Sequence, residues 1–233
     1  MTNLRRDYEI GEIYHVLNRG VERRDIFLKP QDYSRFILGL EFFNSSTPAR
    51  IWDMVATTGS VSVRQRIEAQ RKTKGPPLVE SLAFCLMPNH FHLILREIKD
   101  DGITEFMSKM VGYSSYFNKQ YKRVGPLFQG RYKAIRVKQE SQLDVLFAYI
   151  HTNPVDLWQP GWREHGATNV DTMLNKLKDY RWSSFGDYMD RHNCPQVTRR
   201  EFFKDYFGSA QHCEAAVRKW LEYKGKELDF SVE

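Results

Sequence analysis

Two histidines stand one residue apart in the apolar segment 87–95, which reads Met-Pro-Asn-His-Phe-His-Leu-Ile-Leu. The segment predicts a β-strand, and successive side chains on a strand point to opposite faces. His90 and His92 are therefore expected to share one face, with Phe91 on the other. A single histidine on a strand is commonly a hydrogen-bonded structural residue. Two neighbouring imidazoles instead indicate half of a metal site, because a shared cation lets both stay neutral.

The order of strands and helices around this segment predicts the fold. Apolar alternation and helical spacing place strands at 12–19, 78–86, 90–96 and 131–137, and helices at 30–43 and 103–121. In chain order this is β-α-β-β-α-β. We therefore expect an α+β protein with a ferredoxin-like split βαβ antiparallel sheet and helices on one of its faces.

The remaining segments predict additions to this sheet. A polar, basic stretch at about 45–77 is expected to be an insertion or mobile excursion. Helical patterns continue after residue 158. We expect one domain over residues 1–158, carrying the insertion, and a C-terminal helical extension over residues 159–233.

Composition indicates a cytoplasmic protein. The 233 residues contain no apolar run long enough to cross a bilayer, and the first residues lack the apolar segment of a signal peptide. The three cysteines, Cys85, Cys194 and Cys213, are scattered and odd in number. This pattern fits neither a disulfide framework nor a thiolate zinc site, so reduced structural cysteines are expected.

Positive charge is concentrated in residues 118–138, which are rich in lysine and arginine, contain no acidic residue and include three aromatic rings. Such a segment can neutralise phosphates and stack bases. The net charge of +6 agrees with a polyanionic partner. A basic helix end with ordinary packing aromatics is the alternative, and the lack of any acid favours nucleic acid.

A further helix is predicted at residues 142–153. It is expected to end near Asn153, since Pro154 disfavours the α conformation in the residue before it. Tyr149 and Asn153 are four residues apart and so share one face of the last turn. His151 is expected to point away from that face. The tyrosine and the asparagine can therefore serve one site.

Five motifs together resemble the REP-associated tyrosine transposases, a branch of the single-tyrosine HUH transposase family. The resemblance covers about residues 10–190 without the insertion, and its motifs lie at residues 14–20, 87–95, 116–132, 149–155 and 181–184. It implies that His90 and His92 bind a divalent metal, that Tyr149 is the nucleophile and that Asn153 completes the metal site. Many relatives carry glutamine at the last position, and asparagine suits the REP-associated branch.

The resemblance also implies a function. The chain is expected to be a metal-dependent, single-stranded DNA endonuclease and strand transferase that forms a 5′-phosphotyrosine intermediate at hairpin-containing repeat DNA. Mg²⁺ or Mn²⁺ is the expected cofactor, with Mn²⁺ better matched to imidazole. Single-stranded or hairpin DNA is the expected partner, with no membrane partner. The protein is expected to be a monomer or homodimer associated with the bacterial nucleoid. The residues expected to contact DNA are Arg131, Lys133, Arg136, Lys119, Lys122, Arg123, Tyr132, Arg23 and Arg24.

Other assignments of the same residues stay open. Tyr113, Tyr116 and Tyr121 lie near the basic segment and are competing nucleophiles by pattern, although packing against the sheet is the expected role of Tyr113 and Tyr116. A split βαβ sheet can also bind single-stranded nucleic acid without cutting it. A third alternative is a metallonuclease in which water attacks the phosphodiester and Tyr149 is structural.

Overall fold

The computed structural model describes residues 8–49, 51 and 62–222. Its four strands are β1 (Ile13–Arg19), β2 (Val79–Met87), β3 (His90–Glu97) and β4 (Lys133–Arg136). All neighbouring strands pair antiparallel, in the order β2-β3-β1-β4. The two edge strands are therefore the second and fourth along the chain, as a split βαβ sheet requires. The predicted α+β class and split βαβ antiparallel sheet are confirmed.

The helices fall into two groups along the chain. The first group is α1 (Pro30–Phe42), α2 (Val63–Lys72), α3 (Gly102–Met110) and α4 (Gly112–Gln120). The second is α5 (Glu140–Thr152), α6 (Trp162–His165), α7 (Val170–Asp179), α8 (Phe185–Tyr188), α9 (Arg200–Phe207) and α10 (Ala210–Glu222). Two short 3₁₀ turns lie at Val21–Arg23 and Asn153–Leu157. Within the described ranges, no helix has the length and apolar content needed to cross a bilayer.

One face of the sheet packs against α1, α3 and α4. Phe91 projects from β3 into this layer and contacts Phe36 of α1, with ring centroids 5.0 Å apart. Phe106 of α3 and Phe117 of α4 are buried in the same cluster. Buried aromatic side chains contribute a large apolar area, so this layer is a main source of the stability of the sheet.

The helix predicted at 103–121 is divided in the structure. It forms α3 and α4, which meet at Val111 and Gly112. Glycine is the poorest helix former after proline, and a break at Gly112 is therefore inexpensive. After the break, the Tyr113 hydroxyl donates a hydrogen bond to the backbone oxygen of Ile26. The apolar spacing across the junction was regular enough to predict a single helix.

The opposite face of the sheet is covered by α5 and by helices of the C-terminal extension. Ile94 of β3 lies in one buried cluster with Phe147 and Ile150 of α5. Phe203 of α9 and Val217 of α10 complete the same cluster. The sheet is thus enclosed on both faces, and α5 is held between the strands and the extension. The predicted boundary at residue 158 stays a prediction.

The predicted end of α5 is correct, but the reason for it differs. The α-helix ends at Thr152, and Pro154 takes the first turn of the following 3₁₀ segment. Asn153 itself keeps α-helical backbone angles, with φ −50° and ψ −41°. The missing N–H of Pro154, which cannot donate to the carbonyl of Ile150, accounts for the stop. Asn153 therefore continues the helical path and stays on the face of Tyr149.

The insertion contains an ordered helix. Arg71 of α2 makes two hydrogen bonds to the carboxylate of Glu41, which is buried at the end of α1. A fork of this kind holds a guanidinium in one orientation. At least part of the basic centre of the insertion is thus bound to α1. Residues 50 and 52–61 of the insertion lie outside the described residues.

The cysteines agree with the expectation of reduced, structural residues. All three are free thiols in the structure. Cys85 and Cys213 are buried in the helix-covered cluster, and Cys194 is half-buried. Burial raises the pKa of the Cys213 thiol to about 11, which leaves it protonated at neutral pH. Their role in the described part of the chain is packing.

A buried polar contact fixes the end of α5 to β2. The Oγ of Ser184 lies 2.9 Å from the Nε2 of His151 and 2.9 Å from the backbone nitrogen of Phe84. His151 is fully buried, and burial lowers its pKa to about 3, so the imidazole is neutral. His151 points away from the face of Tyr149, as predicted. This contact sets the position of the last turn of α5.

Ser184→Ala is expected to reduce the free energy of unfolding by about 2–3 kcal/mol, because it leaves a buried backbone N–H and a buried imidazole nitrogen without a partner. Ser115→Ala, at an exposed position of α4, is the control and should change it by less than about 0.5 kcal/mol. Urea denaturation followed by circular dichroism measures both. Equal stability of the two variants would contradict the proposed role of the contact.

Candidate active site

His90 and His92 lie on the face of β3 that α5 covers. Their ring centroids are 4.9 Å apart, and His92 is buried while His90 is half-buried. Phe91, between them, points into the opposite cluster. The strand alternation therefore places the two imidazoles side by side, as the sequence predicted.

A third histidine, which the sequence analysis did not single out, joins this pair. His15 of β1 is buried, and its Nε2 lies 2.9 Å from the Nδ1 of His92. The strand register brings the two residues together, since β1 and β3 pair antiparallel with His15 opposite Ile94 and Leu17 opposite His92. The signal in the sequence was a histidine in the first predicted strand, but its partner depends on a register that one sequence does not reveal.

All three imidazoles are neutral at physiological pH. Burial lowers the pKa of His15 to about 4 and is also the main cause for His90, whose pKa is about 4. Burial lowers the pKa of His92 well below its usual value, and the neighbouring His90 adds to the effect. Neutral imidazole is the form that binds a metal.

The ring of Tyr149, on α5, lies close to the imidazoles of His92 and His15. Its ring centroid is 5.6 Å from that of His92 and 6.2 Å from that of His15. Trp220 of α10 lies on another side, at 6.5 Å between centroids. The half-buried phenol ring of Tyr149 is thus contacted by the sheet on one side and by the C-terminal extension on another.

Asn153 lies one turn after Tyr149 and is buried. Its Nδ2 donates a hydrogen bond of 2.9 Å to the backbone oxygen of Tyr149, which leaves the amide oxygen directed elsewhere. A hydrogen bond between its side chain and His90 raises the pKa of that imidazole, against the larger effect of burial. Asn153 therefore joins the end of α5 to the histidine strand.

The donor atoms of these side chains fit a divalent cation. The Nε2 of His92 is buried without a hydrogen-bond partner. The Nδ1 of His90 donates to the Oδ1 of Asn89 at 2.6 Å, so the neutral ring carries its proton on Nδ1 and its lone pair on Nε2. With the Asn153 oxygen, the set would be two neutral nitrogens and one neutral oxygen, which are donor types that divalent cations accept in proteins. Within the described ranges, no group of three or more His, Cys, Asp or Glu side chains is arranged to hold a metal ion.

Two arginines place positive charge beside His90 and Asn153. Arg19 of β1 is the register partner of His90, and Arg163 of α6 donates to the Oδ1 of Asn153 at 3.5 Å. Both lower the pKa of His90, after the larger effect of burial. Neither was predicted as a site residue. Arg163 lies in the extension, ten residues beyond Asn153, where no motif marked it.

The competing tyrosines are committed to other contacts. Tyr113 is buried and donates to the oxygen of Ile26, and both Tyr116 and Tyr121 donate to the carboxylate of Asp32. Burial is the main cause that raises the pKa of Tyr116 to about 12, with Asp32 adding to it. These phenols all belong to the layer of α1 and α4 on the opposite face of the sheet from the histidines.

The predicted DNA contacts of the basic segment are spread over two faces. Arg131 is exposed and Tyr132 is buried, and both line a cleft of about 530 Å³ on the side of α3 and α4. Lys133 is exposed and pairs with Leu17, so it belongs to the face of the histidines. Lys119 and Lys122 are exposed near the end of α4, where Arg123 bonds to Asn118.

Two of these residues have a different environment from the one expected. Arg136 forms ion pairs with Glu9 and Glu12, whose carboxylates compete with a DNA backbone for its guanidinium. Tyr132 is only 9% exposed and belongs to the core cluster. Only a base that enters the cleft can therefore stack on its ring. DNA contact by either residue stays a prediction.

Arg23 and Arg24 lie near the start of β3, the strand that carries His90 and His92. The backbone oxygen of Arg23 accepts a hydrogen bond from Asn89, the residue that also bonds to His90. Arg24 pairs with Glu22. The turn at Val21–Arg23 therefore borders the site, and the edge role predicted for the two arginines stays a prediction.

Part of the chain matches a family model, and solved structures of similar fold are found. Residues 57–153 match the family described as "Transposase IS200 like". This segment includes His90, His92, Tyr149 and Asn153, but neither β1 nor the extension. A solved structure of a REP-associated tyrosine transposase bound to a REP hairpin is 18% identical, with a TM-score of 0.49, over 83% of this chain and 88% of that one. The search of curated proteins finds no match.

We expect His15 to set the tautomer of His92. His15→Phe should weaken Mn²⁺ binding about 10–100-fold, as is typical when the partner of a ligating imidazole is lost. His15→Gln should retain more of the affinity, because its amide can still accept a hydrogen bond from the Nδ1 of His92. Electron paramagnetic resonance of free Mn²⁺ measures the binding.

His212→Ala, at an exposed histidine of α10, is the control and should bind Mn²⁺ like the parent protein. Circular dichroism establishes that each variant is folded. Unchanged Mn²⁺ affinity in folded His15→Phe would show that the contact between His15 and His92 does not support a metal site.

Proposed function

We propose that this protein, in which residues 57–153 match the family described as "Transposase IS200 like", cleaves and rejoins single-stranded DNA through a covalent bond to Tyr149. The supporting observation is the placement of the Tyr149 ring 5.6 Å from the ring of His92, in a site that also holds His90 and Asn153. The proposed activity is metal-dependent, and its DNA is a strand with hairpin-containing repeats.

Tyr149 is the proposed nucleophile. Its Oη forms a bond to phosphorus as the bond from phosphorus to the 3′ oxygen breaks, which leaves a 5′-phosphotyrosine and a 3′ hydroxyl. The phenol gives up its proton to solvent, and the departing 3′ oxygen takes one up. A phenolate is a better leaving group than an alkoxide, so the 3′ hydroxyl of another strand can reverse the step.

His90, His92 and Asn153 are the proposed metal ligands, with Mg²⁺ or Mn²⁺ as the cofactor. A bound divalent cation offsets the charge of the phosphate oxygens and of the departing 3′ oxygen. Burial keeps both imidazoles neutral, so the ligands do not reduce the charge of the cation. The hydrogen bond from His90 to Asn89 orients one ligand, and the contact with His15 orients the other.

The DNA strand is proposed to reach the site along exposed cations. Lys133 lies on the histidine face, and Arg23 lies at the end of the histidine strand. Contacts of this kind fix the position of the backbone and carry no sequence information. The hairpin is proposed to contact the basic segment around Arg131, on the other face of the sheet. In this arrangement, the hairpin is recognised on one face of the sheet and the DNA strand is cleaved on the other.

Tyr149→Phe is expected to abolish the covalent protein–DNA product and to leave binding of the same strand unchanged, because only the hydroxyl is lost. Tyr116→Phe is the control and should form the product, since that hydroxyl bonds to Asp32 on the opposite face of the sheet. Denaturing gels of end-labelled single strands show the product. Nicked DNA without linked protein would indicate attack by water, and binding with neither product would indicate a binding module.

Removal of metal is expected to stop cleavage. Excess chelator should abolish the covalent product, and added Mn²⁺ should restore it, because the charge of the phosphate is then offset. His92→Ala should lose the activity at all Mn²⁺ concentrations that saturate the parent protein. His165→Ala, an exposed histidine of α6, is the control. Full activity in chelator would remove metal from the mechanism.

A further inference from the structure

We propose that the guanidinium of Arg163 binds the phosphate that Tyr149 attacks, and that it stays on the phosphate in the phosphotyrosine intermediate. This inference rests on the proposed function. It assigns to the site a residue of the C-terminal extension that lies outside the segment matched to the transposase family.

Arg163 contacts the candidate site at two points. Its guanidinium carbon lies 5.8 Å from the centroid of the Tyr149 ring, and its Nη2 donates to the Oδ1 of Asn153 at 3.5 Å. Its charge also lowers the pKa of both His90 and His92, in addition to burial. A phosphate placed between the phenol and the histidine pair would therefore lie next to this guanidinium.

The backbone of α6 holds Arg163 in place. Trp162, the preceding residue, is fully buried, and the Arg163 guanidinium carbon lies 5.1 Å from its ring centroid. Gly161 and Gly166, on either side of α6, have positive φ angles of 77° and 82°, which side chains other than glycine rarely adopt. The glycines allow the sharp bends at both ends of α6, and the buried Trp162 anchors the segment from which the arginine extends.

The same guanidinium already binds an anion. Its Nη1 forms an ion pair with the carboxylate of Asp156, and the Arg163 side chain is 32% exposed. A phosphate oxygen offers the same type of acceptor as a carboxylate oxygen, and arginine matches both with a planar fork of donors. We expect the phosphate to replace Asp156 as the partner when DNA binds.

The proposed role of Arg163 in the reaction is electrostatic stabilisation of negative charge. When the Tyr149 oxygen bonds to phosphorus and the 3′ oxygen departs, negative charge grows on the phosphate oxygens and on the departing oxygen. A guanidinium stays protonated throughout, so it exchanges no proton and only stabilises that charge. It does not serve as the general base, and the phenol proton goes to solvent.

A purely structural role for Arg163 makes a different prediction. If only the ion pair with Asp156 mattered, removal of either partner would have the same effect. If Arg163 binds phosphate, Asp156 is dispensable and its carboxylate competes with the DNA. Arg163→Gln and Asp156→Asn therefore distinguish the two roles.

The first experiment measures the single-turnover rate of covalent product formation on end-labelled, hairpin-bearing single strands with Mn²⁺. Arg163→Gln should lower the rate about 10²–10³-fold, as loss of one donor to a developing negative charge typically does, and Arg163→Lys should restore part of it. Asp156→Asn should change it by no more than about fivefold, the scale of an exposed ion pair. Equal losses in Asp156→Asn and Arg163→Gln would overturn the proposal.

The second experiment measures affinity without catalysis. It uses Tyr149→Phe as background and a fluorescent single-stranded oligonucleotide of mixed sequence. Arg163→Gln should reduce the slope of log affinity against log salt by about 0.7, the value for one phosphate contact on a single strand. Arg218→Gln removes the same charge from α10, where it pairs with Asp171, and is the matched control that should keep the slope.

The two experiments separate the two claims. If no covalent product forms with the parent protein but the slope still falls only in Arg163→Gln, the proposed cleavage fails and phosphate binding by Arg163 stands. If the product forms and neither its rate nor the slope responds to Arg163→Gln, phosphate binding by Arg163 fails and the proposed function stands. Absence of any DNA binding overturns both.

Discussion

The packing of α5 across the histidine-bearing face of the sheet is the constraint on which the site depends. Leu146, Phe147 and Ile150 bury one side of this helix, and the contact between His151 and Ser184 fixes its last turn to β2. Since Tyr149 lies in this last turn and Asn153 directly follows it, their distance from β3 is set by buried packing. A site built on regular elements in this way keeps its geometry better than one built on loops.

The electrostatics follow from the same packing. Burial under α5 keeps His15, His90 and His92 neutral, while Arg19 and Arg163 stand at the edge with their charge. The proposed metal and phosphate sites rest on this combination of neutral donors and neighbouring positive charge. The extension contributes Arg163 and Trp220 directly to this place, so it is more than a cover for the sheet.

Local patterns in the sequence predicted much of this structure. Strand alternation placed His90 and His92 together, and helical spacing with Pro154 placed Tyr149 and Asn153 on one turn. What depends on register or distant packing was not predictable. The contact of His15 with His92 depends on the register of β1 against β3. Arg163 follows α5 in the chain and contacts Asn153 through the packing of the extension.

The same limit explains the two residues of the basic segment whose environments differ from expectation. Charge and aromatic content made Arg136 and Tyr132 candidates for DNA contact, but Glu9 and Glu12 hold the first, and the core encloses the second. Glu9 and Glu12 lie more than one hundred residues before Arg136 in the chain, so the local composition around Arg136 gave no indication of them. The division of the predicted helix at Val111 and Gly112 is a local feature that regular apolar spacing concealed.

The central claim is that the phenol of Tyr149 and the metal held by His90 and His92 share one site. Fluorine NMR of protein labelled with fluorotyrosine, titrated with Mn²⁺, tests it without knowledge of the DNA sequence. The account predicts that the Tyr149 resonance, assigned with Tyr149→Phe, broadens first and that His92→Ala removes the effect. Uniform broadening, or a stronger effect on any tyrosine of the opposite face such as Tyr113 or Tyr116, would contradict it.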